Sequence, residues 1–155
     1  MIKDKTLLIL GAGASVPYGY PTGYTLRKKL CDPRNLKSLH SSIQESGIKL
    51  FCQSFEKSQL NSIDAFLAKR GEDQLEEKSS IATIKFGTYS DCGKLAIAQQ
   101  LIGCENLSKL FNLEEDHWLQ YLWNHMSDVP YDEFIENQLK IISFNYDRVI
   151  EQFFQ

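Results

Sequence analysis

Thr6-Leu7-Leu8-Ile9-Leu10-Gly11-Ala12-Gly13-Ala14-Ser15 sets the terms on which the rest of the chain is read. A strand is predicted over residues 5–10, apolar on both faces through Leu7-Leu8-Ile9-Leu10, the pattern expected at the centre of a parallel sheet covered by helices. The strand runs into glycines at 11 and 13. Glycine permits positive φ and, lacking a Cβ, lets backbone N–H groups approach a pyrophosphate, while a helix starting just beyond adds a favourable dipole. The predicted anion site lies over Ala14-Ser15. A dinucleotide fingerprint has a third glycine three residues after the second, but Val16 stands there, so the loop is not of the standard dehydrogenase type. A tight turn that binds nothing is the competing reading.

The chain has 155 residues, 43% hydrophobic and 24% charged, which suits one globular domain with a real core. A net charge of -3 and no long basic run exclude a sequence-independent nucleic-acid binder. Arg27-Lys28-Lys29 reads as a solvated helix face, with phosphate binding as its alternative. Cys31, Cys52, Cys92 and Cys104 form no CxxC pair, so neither a zinc ribbon nor a disulfide scaffold is expected and no metal is called. There is no signal-peptide pattern and no apolar run of membrane-spanning length, and a cytoplasmic protein with reduced thiols is expected.

Leu26 and Leu30, spaced i,i+4, predict a helix near residues 23–31 that ends at Asp32-Pro33. Helical spacing continues over 37–70 through Leu36, Leu39, Ile43, Leu50, Phe51 and Phe55, with Gly47 as a break. Asn61 is the expected N-cap for Ser62-Ile63-Asp64-Ala65-Phe66-Leu67, which places Asp64 in the first turn, where the helix dipole favours a carboxylate. Residues 71–80 read as a mobile loop or an exposed helix start. A helix from about 81 to 102 is preferred over a strand at Ile81-Ala82-Thr83-Ile84, because helix formers dominate its second half. A further helix is predicted over 114–127, with Trp118, Leu119, Leu122, Trp123 and Met126 on its apolar face, and a short one at Phe134-Ile135. His117 and His125 lack the spacing of a metal pair.

Lys140-Ile141-Ile142-Ser143-Phe144 is the second clear strand, and it ends in Asn145-Tyr146-Asp147. Polar residues at the carboxyl end of a buried strand are where open α/β sheets place ligand chemistry, although either Asn145 or Asp147 could simply cap the next helix. If the two strands are neighbours in one parallel sheet, the glycine turn and Asn145 with Asp147 lie side by side.

The GAGAS turn (Gly11 to Ser15), the Pro21-Thr22-Gly23 triplet and the Phe144-Asn145-Tyr146-Asp147 strand end with Glu151, in this order, resemble the sirtuin-like NAD-hydrolysing domains of bacterial anti-phage defence. Ser62 to Leu67 and Gly93 to Ala98 also look like family segments, so the resemblance runs from residue 6 to 152. It implies an α/β fold, a partial Rossmann-like parallel sheet of the sirtuin type with a large helical insertion between its first two strands. Gly11, Ala12, Gly13, Ala14 and Ser15 would bind the NAD diphosphate and neighbouring ribose, and Pro21, Thr22 and Gly23 would border the nicotinamide. Asn145 would hold the nicotinamide ribose and position a water, and Asp147 would hold the nicotinamide or its loop. The same match gives Asp64 a possible place at the site beside its dipole role.

Two departures matter: the family histidine that follows the FNYD motif is absent, and so are the further strands that a doubly wound sheet needs to bury both faces; the phenylalanine-arginine pair typical of deacetylases is also missing. His40, His117 and His125 all precede Asn145. The expectation is therefore the amino-terminal portion of a longer protein, or a shortened product, incomplete at its C-terminus. It would bind NAD or ADP-ribose weakly without turnover, and act with a second copy or a partner domain that supplies the remainder.

Overall fold

A computed structural model of the chain describes residues 1–112 and 117–155, and it is mixed α/β. The chain divides into two compact units, one formed by Met1–Tyr20 with Glu105–Gln155 and the other by Pro21–Cys104.

In the first unit, β1 (Thr6–Leu10) pairs in parallel with a later strand, Leu139–Ser143, in the register Thr6↔Leu139 to Leu10↔Ser143. The two apolar runs are thus neighbours, as their patterning implies. Their burial differs from expectation: Leu7 is 53% and Ile9 65% exposed, while Thr6, Leu8 and Leu10 are half-buried. A two-stranded sheet whose described neighbours pack one face leaves the alternate residues of β1 in solvent. After β1 the chain makes a 3-10 helix, Ala12–Tyr18, rather than an α-helix. Pro17 lies inside it, and without an N–H it cannot complete an α-helical ladder.

The second unit begins with α1 (Gly23–Leu30), which buries Leu26 and Leu30 as predicted. A 3-10 segment, Pro33–Ser41, precedes α2 (Glu45–Lys57) and α3 (Ile63–Arg70). Gly47 does not break the helix. It lies within α2, where an added Cβ would stand 2.7 Å from Cγ of Phe86, so its small size is needed for close packing. The cap of α3 is Ser62, not Asn61, and its hydroxyl accepts from the Ala65 N–H at 3.1 Å.

Residues 71–88 are neither loop nor helix: β2 (Gln74–Lys78) and β3 (Thr83–Thr88) form an antiparallel hairpin. The side chain of Ser79 closes the turn, donating to the Ala82 carbonyl and accepting from the N–H groups of Ile81 and Ala82. Only then does α4 (Tyr89–Ile102) begin, on a capping box between Thr88 and Asp91. The two hydrogen bonds from Thr88 hold the Asp91 carboxyl below its ordinary range. Phe51, Phe55, Phe66 and Tyr89 pack ring against ring at the centre of this unit, with Phe66 edge-on to both Phe51 and Tyr89.

Back in the first unit come α5 (Leu107–Leu110), α6 (Trp118–Ser127), a 3-10 turn at Tyr131–Glu136, β4 (the Leu139–Ser143 strand) and α7 (Val149–Phe153). The predicted start of α6 at 114–116 lies outside the described residues. Among the described residues no helix is long and apolar enough to cross a membrane.

Candidate functional site

The parallel register brings the two strand ends level, with Leu10 opposite Ser143, and the Phe144 N–H donates to the Leu10 carbonyl at 3.0 Å. From here both chains turn away, and their polar residues meet. Asn145 Nδ2 donates to Ser15 Oγ at 3.0 Å, a bond between residues 130 positions apart. The Asn145 N–H also donates to Ser143 Oγ at 3.2 Å. Ser15 is 2% exposed, and Asn145 Oδ1 is buried with no hydrogen-bond partner among the described residues. A buried amide oxygen left without a donor costs about 1–3 kcal/mol, so it is a natural acceptor for a ligand hydroxyl or a water.

The turn itself is extended at Gly11 (φ -118°), and the expected positive φ at Gly11 and Gly13 is not found. The left-handed glycine is Gly19 (φ 92°), which ends the 3-10 helix by donating to the carbonyls of Ser15 and Val16. Beside Gly11 and Gly13 there is open space: a Cβ built on either has no neighbour within 4 Å. The backbone there is bare and open to a bulky anion.

Two contacts with α6 hold the turn in place, and neither was anticipated from sequence. Trp118 Nε1 donates to the Ala14 carbonyl at 2.8 Å, and the Tyr18 hydroxyl accepts from the Leu119 N–H at 3.1 Å. Burial pushes the Tyr18 phenol above its ordinary value, and the Leu119 N–H opposes that shift. The buried His117 ring lies 5.0 Å from the Tyr18 ring. Trp118 was read as part of an apolar stripe, and nothing in its spacing signals that its indole nitrogen reaches the glycine turn.

The other sequence-predicted residues make contacts of a different kind. Asp147 Oδ1 accepts from the Val149 N–H at 3.2 Å, a turn bond made one residue before Arg148, the N-cap of α7, rather than the expected helix cap. Pro21, Thr22 and Gly23 open the second unit, where Thr22 caps α1 by accepting from the Thr25 N–H at 3.2 Å and Gly23 is the first helical residue. Asp64 is exposed in the first turn of α3. Arg27 is not a solvated charge: its Nε donates to the Leu60 carbonyl at 2.7 Å, and its guanidinium lies over the Phe55 ring. All four cysteines are free thiols. Among the described residues no three His, Cys, Asp or Glu side chains gather as a metal site would require.

Comparison with family models, with curated proteins and with solved structures finds no match to this chain.

Proposed function

We propose that the chain is a sirtuin-like NAD-binding module with a partial Rossmann-like sheet, which in the complete protein hydrolyses NAD to nicotinamide and ADP-ribose in a cytoplasmic anti-phage role. The Asn145–Ser15 hydrogen bond carries this reading, because it ties the polar end of one parallel strand to the glycine turn after its neighbour. Ligands of open α/β sheets bind at this edge.

The residues present suit the dinucleotide in two respects. The bare backbone at Gly11 and Gly13 leaves room for a diphosphate, and the buried Asn145 Oδ1 offers an acceptor for a ribose hydroxyl or a water. Cleavage of the nicotinamide-ribose bond develops oxocarbenium character on the sugar. Groups that fix the ribose and aim a water lower the barrier by positioning and by electrostatic stabilisation. Asn145 fills that role, and Ser15 orients it. Asp147 acts by fixing the entry to α7 through its bond to the Val149 N–H.

Binding of NAD or ADP-ribose without turnover is the second reading, favoured by where the histidines lie. His125 stacks on Tyr121 and shares a hydrogen bond with that residue's carbonyl on α6, and buried His117 packs on Tyr18, so neither matches a base beyond the FNYD strand end. A second copy or a partner domain would then complete the site.

Incubating the purified chain with NAD and following nicotinamide by chromatography, with calorimetry in parallel, separates the readings. Release that Asn145→Ala reduces by roughly 10²–10³-fold, the size of a lost oxyanion-type donor, supports hydrolysis. Heat of binding without release supports the silent module. Release or binding that Asn145→Ala leaves unchanged refutes the site.

A further inference from the structure

The second unit contains a cleft that the NAD reading does not use. It has a volume of about 290 Å³ and lies beside the C-terminal ends of α2 and α3. We propose that it binds a small organic phosphate, a phosphate monoester carrying one compact apolar group.

The lining divides into an apolar base and a cationic rim. Half-buried Leu60 gives the base its accessible apolar surface, over the fully buried Phe66 ring, which is locked edge-on against Phe51 and Tyr89. Lys57, Lys69 and Arg70 form the rim. Arg70 is preorganised: its Nε donates to Asp73 Oδ2 at 2.9 Å, and its guanidinium lies 4.6 Å from the centre of the Tyr89 ring. Lys57 and Lys69 pair with no carboxylate among the described residues, and their ammonium groups are available to a ligand. Basic residues in a last helical turn also offset the helix dipole, but that partial charge is only about half a unit per helix. Set against Asp73 and two helix ends, three cations still leave roughly one net positive charge at the mouth.

Ser54 supplies a neutral donor. Its hydroxyl is 2.9 Å from that of Tyr89, and their mutual hydrogen bond uses one of the two hydroxyl hydrogens. With Tyr89 donating, the Ser54 O–H is free to donate to a phosphate oxygen from the cleft wall. Ligand pockets commonly span roughly 300–1,000 Å³, so a cleft near the lower bound matches a single ring with a phosphate.

Calorimetry on the whole chain in dilute, phosphate-free buffer tests the proposal, with phenyl phosphate, inorganic phosphate and phenol as probes. Phenyl phosphate should bind saturably at one site and more tightly than either fragment. Its affinity should fall roughly tenfold or more in Lys57→Gln/Lys69→Gln, whose side chains are exposed, and stay unchanged in Asn145→Ala. Absence of saturable binding, or equal affinity in the lysine double variant, overturns the proposal. Loss of binding in Asn145→Ala also overturns it, by moving the phosphate to the strand-end site, and inorganic phosphate binding as tightly as phenyl phosphate refutes the apolar subsite.

Discussion

Removing the hydroxyl of Ser15 should destabilise the free protein more than removing that hydroxyl together with the Asn145 side chain. In Ser15→Ala the Asn145 amide loses its Nδ2 acceptor while Oδ1 is already buried without a donor, so a wholly unsatisfied amide is left in place. The expected cost is about 2 kcal/mol, within the range of roughly 1–3 for a stranded buried polar group. In Asn145→Ala one neutral hydrogen bond is lost, about 0.5–1.5 kcal/mol, but the orphan oxygen goes with it, and the net change should lie within about 1 kcal/mol of zero. The double variant also removes the buried Ser15 hydroxyl that Asn145→Ala leaves without its amide donor, so it should be at least as stable as Asn145→Ala. The cycle then gives a coupling of at least about 2 kcal/mol, with Ser15→Ala the least stable member. Urea unfolding read by tryptophan fluorescence measures it directly, because both tryptophans, Trp118 and Trp123, belong to the unit that carries the site. A Ser15→Ala protein as stable as the double variant would refute the reading of Asn145 as an unsatisfied, ligand-ready amide.

Phe66→Ala should cost about 3–5 kcal/mol, as expected for a fully buried aromatic, and circular dichroism during urea unfolding measures the loss. Gly47→Val should cost about 1–3 kcal/mol by overpacking, since even a Cβ would stand 2.8 Å from Cβ of Phe86; a variant that melts with the wild type would show that Phe86 moves aside freely. Burial pushes the Cys52 and Cys92 thiols from an ordinary 9.0 up to about 12. Both should resist iodoacetamide at pH 8 in the folded chain and react in denaturant. Because these folded values lie above the unfolded one, the thiol contribution to stability is whole below about pH 9 and is lost as pH rises toward about 12, the unfolded chain releasing its protons first. Urea midpoints that stay flat from pH 8 to pH 11 would contradict this.

Strands β1 and β4 and helix α1 were legible because their apolar spacing is dense enough to outweigh local alternatives. Leu26 and Leu30 alone fix the buried face of α1. The β2–β3 hairpin was not legible. Gln74-Leu75-Glu76-Glu77-Lys78 buries one side chain, Leu75, and shows solvent a run of good helix formers, so the strand exists through its pairing rather than through any local preference. The strand ends were expected side by side on the condition that the two strands are neighbours, and the parallel register meets that condition; the Ser15–Asn145 bond itself was not anticipated. Trp118 and Tyr18 were missed because they clamp the glycine turn through one indole N–H and one phenol oxygen across 101 or more positions of chain, a relation without periodicity.

Glycine shows why the candidate site needed three dimensions. Gly47 and Gly93 are small because protein fills the space beside them: a Cβ would lie 2.7 Å from Phe86 in one case and 2.8 Å from Leu67 in the other. Gly11 and Gly13 have no such neighbour, and their φ values lie outside the left-handed region, so neither close packing nor a special turn requires glycine at these two positions. The proposed phosphate contact needs open backbone of this kind between β1 and the buried Ser15 hydroxyl. That hydroxyl is bonded to the one amide of the site whose oxygen is buried without a donor. Bare backbone and an acceptor in want of a donor are complementary demands, and a molecule carrying both phosphate and hydroxyl groups meets them together, as the nucleotide reading requires.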